Sequence, residues 1–108
     1  MATTLETRLW IQIKAMHGDC QLPIPEHEYY FHPDRKWRAD YCWPYHKLIV
    51  EVEGGIWRAG RHNRPKGFIK DCEKYNTAVL MGYKVIRVTS EHIHNGQAIQ
   101  WICKALGY

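Results

Sequence analysis

The run Trp37-Arg38-Ala39-Asp40-Tyr41-Cys42-Trp43, Pro44-Tyr45-His46, Lys47-Leu48-Ile49-Val50-Glu51-Val52-Glu53, Gly54-Gly55 decides the fold. Its first part alternates: Trp37, Ala39, Tyr41 and Trp43 face one way, Arg38, Asp40 and Cys42 the other. That predicts a strand over 37–43. Pro44-Tyr45-His46 makes a tight turn, and 47–53 reads as a central strand. Glu is depleted in strands, yet Glu51 and Glu53 sit at the end of this apolar one, and a two-residue period points them to the same face. Burying two like charges together is costly unless something neutralises them. A divalent cation does so, and oxygen-only ligands select Mg²⁺ or Mn²⁺ over zinc. The plainer alternative is an edge strand whose end is already solvated. Asp40 separates the two readings through the hairpin register. A connection of two or four residues (45–46 or 44–47) puts Asp40 opposite Glu51. A three-residue loop puts it opposite Val50, on the wrong face.

Outward from this hairpin, residues 3–17 read as a helix, with Leu5, Leu9, Ile13 and Met16 at helical spacing and Gly18 as its stop. Thr3-Thr4-Leu5-Glu6 fits a capping box. Residues 21–26, with Pro23 and Pro25, form an extended connector, and 28–32 a further strand. After Gly54-Gly55 a loop runs to about Gly67. Residues 67–81 form a second helix with Phe68, Cys72, Tyr75, Val79 and Leu80 inward, capped by Gly82. Residues 83–89 form a fourth strand and 95–105 a last helix. The order is α-β-β-β-α-β-α, read as a single α/β domain over 1–108 with helices packed on a sheet.

The chain has 108 residues, 45% of them apolar and 24% charged, which is enough apolar material for a core and excludes a disordered chain. No apolar run approaches a membrane span and no secretory signal is evident, so a cytoplasmic protein is expected, in the host cytoplasm if phage-encoded. Cys20, Cys42, Cys72 and Cys103 lack the local pairing of zinc sites and read as free thiols. His92 and His94 read as surface residues. The net charge of +4 permits nucleic-acid binding. Its distribution is sharper: Arg58, Arg61, Arg64, Lys66 and Lys70, with His62, lie together with no acid among them, either as a solvated loop or as a grip on phosphates. Trp57 lies within the same loop. No phosphate-binding Gly-rich loop, nucleophile elbow or His-Glu-x-x-His pair is present.

Trp37-Arg38-Ala39-Asp40 followed by Leu48-Ile49-Val50-Glu51-Val52-Glu53-Gly54-Gly55 resembles the PD-(D/E)XK nuclease superfamily, in particular small phage-type endonucleases similar to Holliday junction resolvases and very-short-patch-repair-like nucleases. The resemblance runs from Arg35 to Val88, and includes Gly60-Arg61-His62 and Asp71 to Asn76. It implies a restriction-endonuclease-like core, a mixed central sheet flanked by helices. The implied activity is Mg²⁺-dependent hydrolysis of DNA phosphodiester bonds, with Mn²⁺ as a substitute. The implied metal ligands are Asp40, Glu51 and the Val52 carbonyl, and the DNA ligands are Arg58, Arg61, His62, Arg64, Lys66 and Lys70. The family's usual lysine, two residues after the Glu, is Glu53 here. Either Glu53 helps to hold a second metal or a lysine arrives from elsewhere. Lys74, one helical turn beyond Lys70, is the preferred replacement. Glu6 serves either the helix cap or the metal, and Glu28 is a weaker substitute. The small domain suggests a structure-selective enzyme acting on branched or junction DNA as a homodimer. The alternatives are a mismatch or general nicking endonuclease and a catalytically silent DNA-binding relative.

Overall fold

The computed structural model describes residues 4–54 and 65–108. Four strands, β1 (Glu26–Tyr30), β2 (Arg38–Trp43), β3 (Leu48–Val52) and β4 (Lys84–Val88), form one sheet in the order β1-β2-β3-β4. The first three run antiparallel in sequence, and β4 pairs parallel to β3. A parallel pair needs a crossover, and α2 (Pro65–Leu80) lies in that connection. On the opposite face pack α1 (Leu5–Cys20), α3 (Ser90–His94) and α4 (Gln97–Leu106). The expected α-β-β-β-α-β-α order and mixed sheet are therefore present, with the final helical segment divided in two.

Two cores flank the sheet. Leu9 and Ile13 of α1, Ile93 of α3 and Ala98, Ile102 and Leu106 of α4 pack on Tyr41, Trp43, Leu48, Val50 and Val88. Across the sheet, Ala78 of α2 joins Phe31, Ala39, Cys42, Ile49 and Tyr83. Burial pushes the Cys42 thiol up to about 12, so it behaves as an apolar side chain. All four cysteines are unbridged.

Several local expectations change. The clean alternation of β2 fails: Ala39 lies in the α2-side core, whereas Tyr41 and Trp43 lie in the other. The same switch occurs in β1, where His27 packs on Trp10 and Tyr41 while Tyr29 lies on the α2 side. Glu28 causes it, with a left-handed φ of 46° that reverses the strand's facing. The capping box is displaced by one residue. Thr4 is the N-cap and its hydroxyl accepts from Thr7 N at 3.1 Å, which leaves Glu6 out of the cap. Gly18 stays helical, and the left-handed residue that ends α1 is Gln21. In α2 the predicted inward stripe holds only in part. Cys72 and Tyr75 are half-buried, Phe68, Val79 and Leu80 are exposed, and Ala78 is the buried residue. His92 has a local role, its Nδ1 accepting from Thr89 N at 3.0 Å to cap α3.

Candidate active site

The site lies where β2 and β3 part. Their pairing runs Trp43↔Leu48, Cys42↔Ile49, Tyr41↔Val50, across a four-residue connection at 44–47. Continuing that register brings Asp40 to Glu51, as the hairpin argument requires for a shared face. Beyond Tyr41, side chains replace the backbone ladder. Val52 N–H donates to Asp40 Oδ2 at 2.7 Å, and Asp40 N–H donates to Glu51 Oε2 at 3.4 Å. The Arg38 carbonyl accepts from Lys74 Nζ at 2.7 Å. Backbone groups left over where the strands separate must find partners, and here three site side chains supply them. The same bonds fix the orientation of those side chains.

Lys74 reaches the site from α2. Its ammonium stands 2.7 Å from Glu51 Oε1, with both side chains largely buried. Apart from this ammonium contact Oε1 is a buried oxygen with no hydrogen-bond partner among the described residues, so a carboxylate lone pair is left for another ligand. Burial pushes the Glu51 carboxyl up to about 7; Lys74 opposes that rise and Asp40 adds to it. A buried carboxylate with a lone pair to spare, beside a second carboxylate on the adjoining strand, fits a hard divalent cation. Mg²⁺ takes one or two carboxylates and completes its shell with water and phosphate oxygens. Among the described residues no cluster of three His, Cys, Asp or Glu side chains stands in a coordinating arrangement, and Asp40 and Glu51 are the two carboxylates brought together here.

Around the pair lies a cleft of about 340 Å³ lined by Glu28, Lys36, Trp37, Arg38, Asp40, Glu51 and Lys74. Glu6, free of the cap, belongs to the same acidic region. Burial raises its pKa, Asp40 and Glu28 raise it further, and Arg38 draws it down. The Glu6 carbonyl accepts from Tyr41 Oη at 2.7 Å, which ties the start of α1 to β2.

Glu53 faces α2 like Glu51 but has other partners. It meets Arg87 Nε at 2.6 Å and accepts from Tyr75 Oη at 3.4 Å. Arg87 also lies over the Tyr75 ring. Burial, Glu51 and Glu53 all push the Tyr75 phenol upward, so it stays a neutral donor. Lys66 and Lys70 are exposed on α2. Arg58, Arg61, His62 and Arg64, with Trp57, lie outside the described residues. Sequence reading missed Tyr75 and Arg87 as partners of Glu53. No sequence period signals them: Arg87 comes beside Glu53 only through the parallel pairing of β3 with β4, in which it stands opposite Glu51. Sequence reading also missed Lys36 and Arg38 on the cleft wall.

No family model and no curated protein matches this chain. Among solved structures it is similar to the catalytic domain of the homing endonuclease I-Bth0305I, with a TM-score of 0.63, 21% identity, and 97% of this chain and 98% of that one covered. At that identity the likeness is one of fold.

Proposed function

We propose that this protein is a metal-dependent DNA endonuclease whose centre is Asp40, Glu51 and Lys74. The observation that carries the reading is the Lys74 ammonium at 2.7 Å from Glu51, on the strand where Glu53 replaces the usual lysine. A helix thereby returns a cation to a site whose own strand lacks one. Asp40 and Glu51 would hold Mg²⁺ or Mn²⁺, with the Val52 carbonyl and Glu6 as further ligands. The ion would lower the pKa of a bound water and offset charge on the phosphate. Lys74 keeps Glu51 available as an anion against the pull of burial, and its remaining N–H bonds can meet a phosphate oxygen or orient water. Arg58, Arg61, His62, Arg64, Lys66 and Lys70 are assigned to backbone phosphates, which position DNA without reading sequence. Glu53, committed to Arg87 and Tyr75, ties the strand end to α2 and β4.

Branched DNA cut by a homodimer is the substrate and assembly we assign. A second reading, nicking of linear duplex, is favoured by the similar fold being a homing endonuclease's catalytic domain. Labelled duplex, flap and four-way junction substrates, each with Mg²⁺, Mn²⁺ or EDTA, test both. The nuclease reading expects cleavage that needs the metal and is lost in Asp40→Ala and Glu51→Ala while DNA binding survives. Cleavage by both variants at wild-type rates would reject the site. Preference for the junction over matched duplex decides between branched and linear substrates, and sedimentation of the DNA complex tests the dimer.

A further inference from the structure

Arg38 lines the carboxylate cleft, and neither the metal site nor the expected DNA-binding residues account for it. Its guanidinium Nη1 bonds Glu28 Oε1 at 3.1 Å, and its charge also reaches Glu6. Both side chains of the pair are more than half exposed, at 53% and 63%. An ion pair that open to water contributes little and exchanges partners readily. Glu28 is held there by backbone that ordinary strands avoid, the left-handed φ of 46° that reverses β1. Strain of this kind persists where the surroundings demand a particular side-chain placement. Here a carboxylate stands against the arginine that lines the cleft wall among the described residues. Lys36 lines the same wall and has no carboxylate partner among the described ion pairs.

We propose that Arg38 is a DNA-phosphate ligand of this cleft and that Glu28 occupies its guanidinium until a phosphate displaces it. This inference rests on the nuclease reading above. The chemistry is partner exchange: a guanidinium fork matches two phosphate oxygens as well as it matches a carboxylate, and the phosphate brings bidentate, charge-assisted bonds. Arg38 lies two residues before Asp40, so a phosphate held by it stands beside the carboxylate pair. The Arg38 carbonyl is anchored by Lys74, which fixes the backbone from which the guanidinium extends. Glu28 meanwhile balances the arginine when no DNA is bound, and leaves a carboxylate to repel anions that cannot displace it.

The test is a double-mutant cycle on the full chain, read as affinity for a labelled duplex oligonucleotide in EDTA and as cleavage in Mg²⁺. Arg38→Ala should weaken binding by about tenfold or more, the scale of a charge-assisted bond. Glu28→Gln should tighten it by about two- to fivefold, the range an exposed ion pair spans. In the Arg38→Ala background the Glu28→Gln gain should shrink, because its beneficiary is gone. An equal gain in both backgrounds would mean that Glu28 merely repels DNA, and overturns the proposal. Arg38→Lys, which keeps the charge and loses the fork, should recover part of the affinity. A folded Arg38→Lys variant binding no better than Arg38→Ala also overturns it. Wild-type protein that cuts DNA while Arg38→Ala binds as tightly defeats this inference alone. Wild-type protein that neither binds nor cuts DNA defeats the nuclease reading and this inference together.

Discussion

Glu51 is the residue on which the site's electrostatics turn. Burial raises its carboxyl from 4.5 to about 7, with Lys74 moderating the rise. Its folded form therefore holds a proton more tightly than the unfolded chain does. Metal-free stability should fall as pH rises from about 4.5 to about 7 and stay lower above that window, by an amount on the order of 1–3 kcal/mol. Glu51→Gln should flatten this slope and be the more stable form near pH 8, as urea unfolding in EDTA across pH would measure. Mn²⁺ affinity should rise with pH over the same window, since the ion must displace the proton. Lys74 acts on the same carboxylate from the other side. Lys74→Met should lower kcat by about 10²-fold or more with a much smaller change in DNA affinity, the pattern of losing a transition-state stabiliser. Matching losses in both quantities would make Lys74 a binding residue only.

At the scale of elements, the connection between β2 and β3 sets what faces what. Tyr45 is 93% exposed within it, so Tyr45→Ala should leave stability and cleavage near wild type. Deleting Tyr45 while the four-residue turn is kept draws Trp43 into the connection, pairs Cys42 with Leu48 and opposes Asp40 to Val50. Metal binding and cleavage should then vanish, and a deletion as active as the substitution would refute the register argument. The start of α1 offers a parallel contrast. Thr4→Ala removes the hydroxyl that caps Thr7 N and should cost about 1 kcal/mol in urea unfolding. Glu6→Ala leaves that cap intact, and its effect should fall on Mn²⁺ affinity instead. An unfolding cost for Glu6→Ala as large as that for Thr4→Ala would return Glu6 to a capping role.

For the whole molecule, two layers of helices enclose a twisted mixed sheet, and the cleft opens where two of its strands separate. Lys66 and Lys70 project from α2, the helix that also carries Lys74 inward. Replacing both with Ala should weaken binding to all DNA sequences alike and flatten the plot of log affinity against log salt by roughly 0.9 per lost duplex contact. The same measurement on Arg61→Ala and Arg64→Ala tests the basic segment that precedes the helix. An unchanged slope would make these cations solvated surface.

The sequence by itself determined the element order, the hairpin and the facing of Glu51 and Glu53, because each follows from a period or a turn within a few residues. The resemblance carried by residues 37–55 singled out Lys74 as a candidate cation, and the structure puts its ammonium 2.7 Å from Glu51. What the sequence could not contain is the reversal at Glu28 and Asp40. Alternation over 37–43 is a local pattern, whereas the left-handed Glu28 lies on β1, the strand paired with β2, outside anything a period along 37–43 can read. The phase of α2 was legible only in part. Cys72 and Tyr75 turn inward as their spacing predicts, but the fully buried residue is the small Ala78, and Phe68, Val79 and Leu80 are exposed. Tertiary structure alone decided the partners of the charged groups: Glu51 with Lys74, Glu53 with Arg87, Glu28 with Arg38. Charge attraction has no period along a chain; it is settled by which side chains the sheet and its crossover helix bring within a few ångströms.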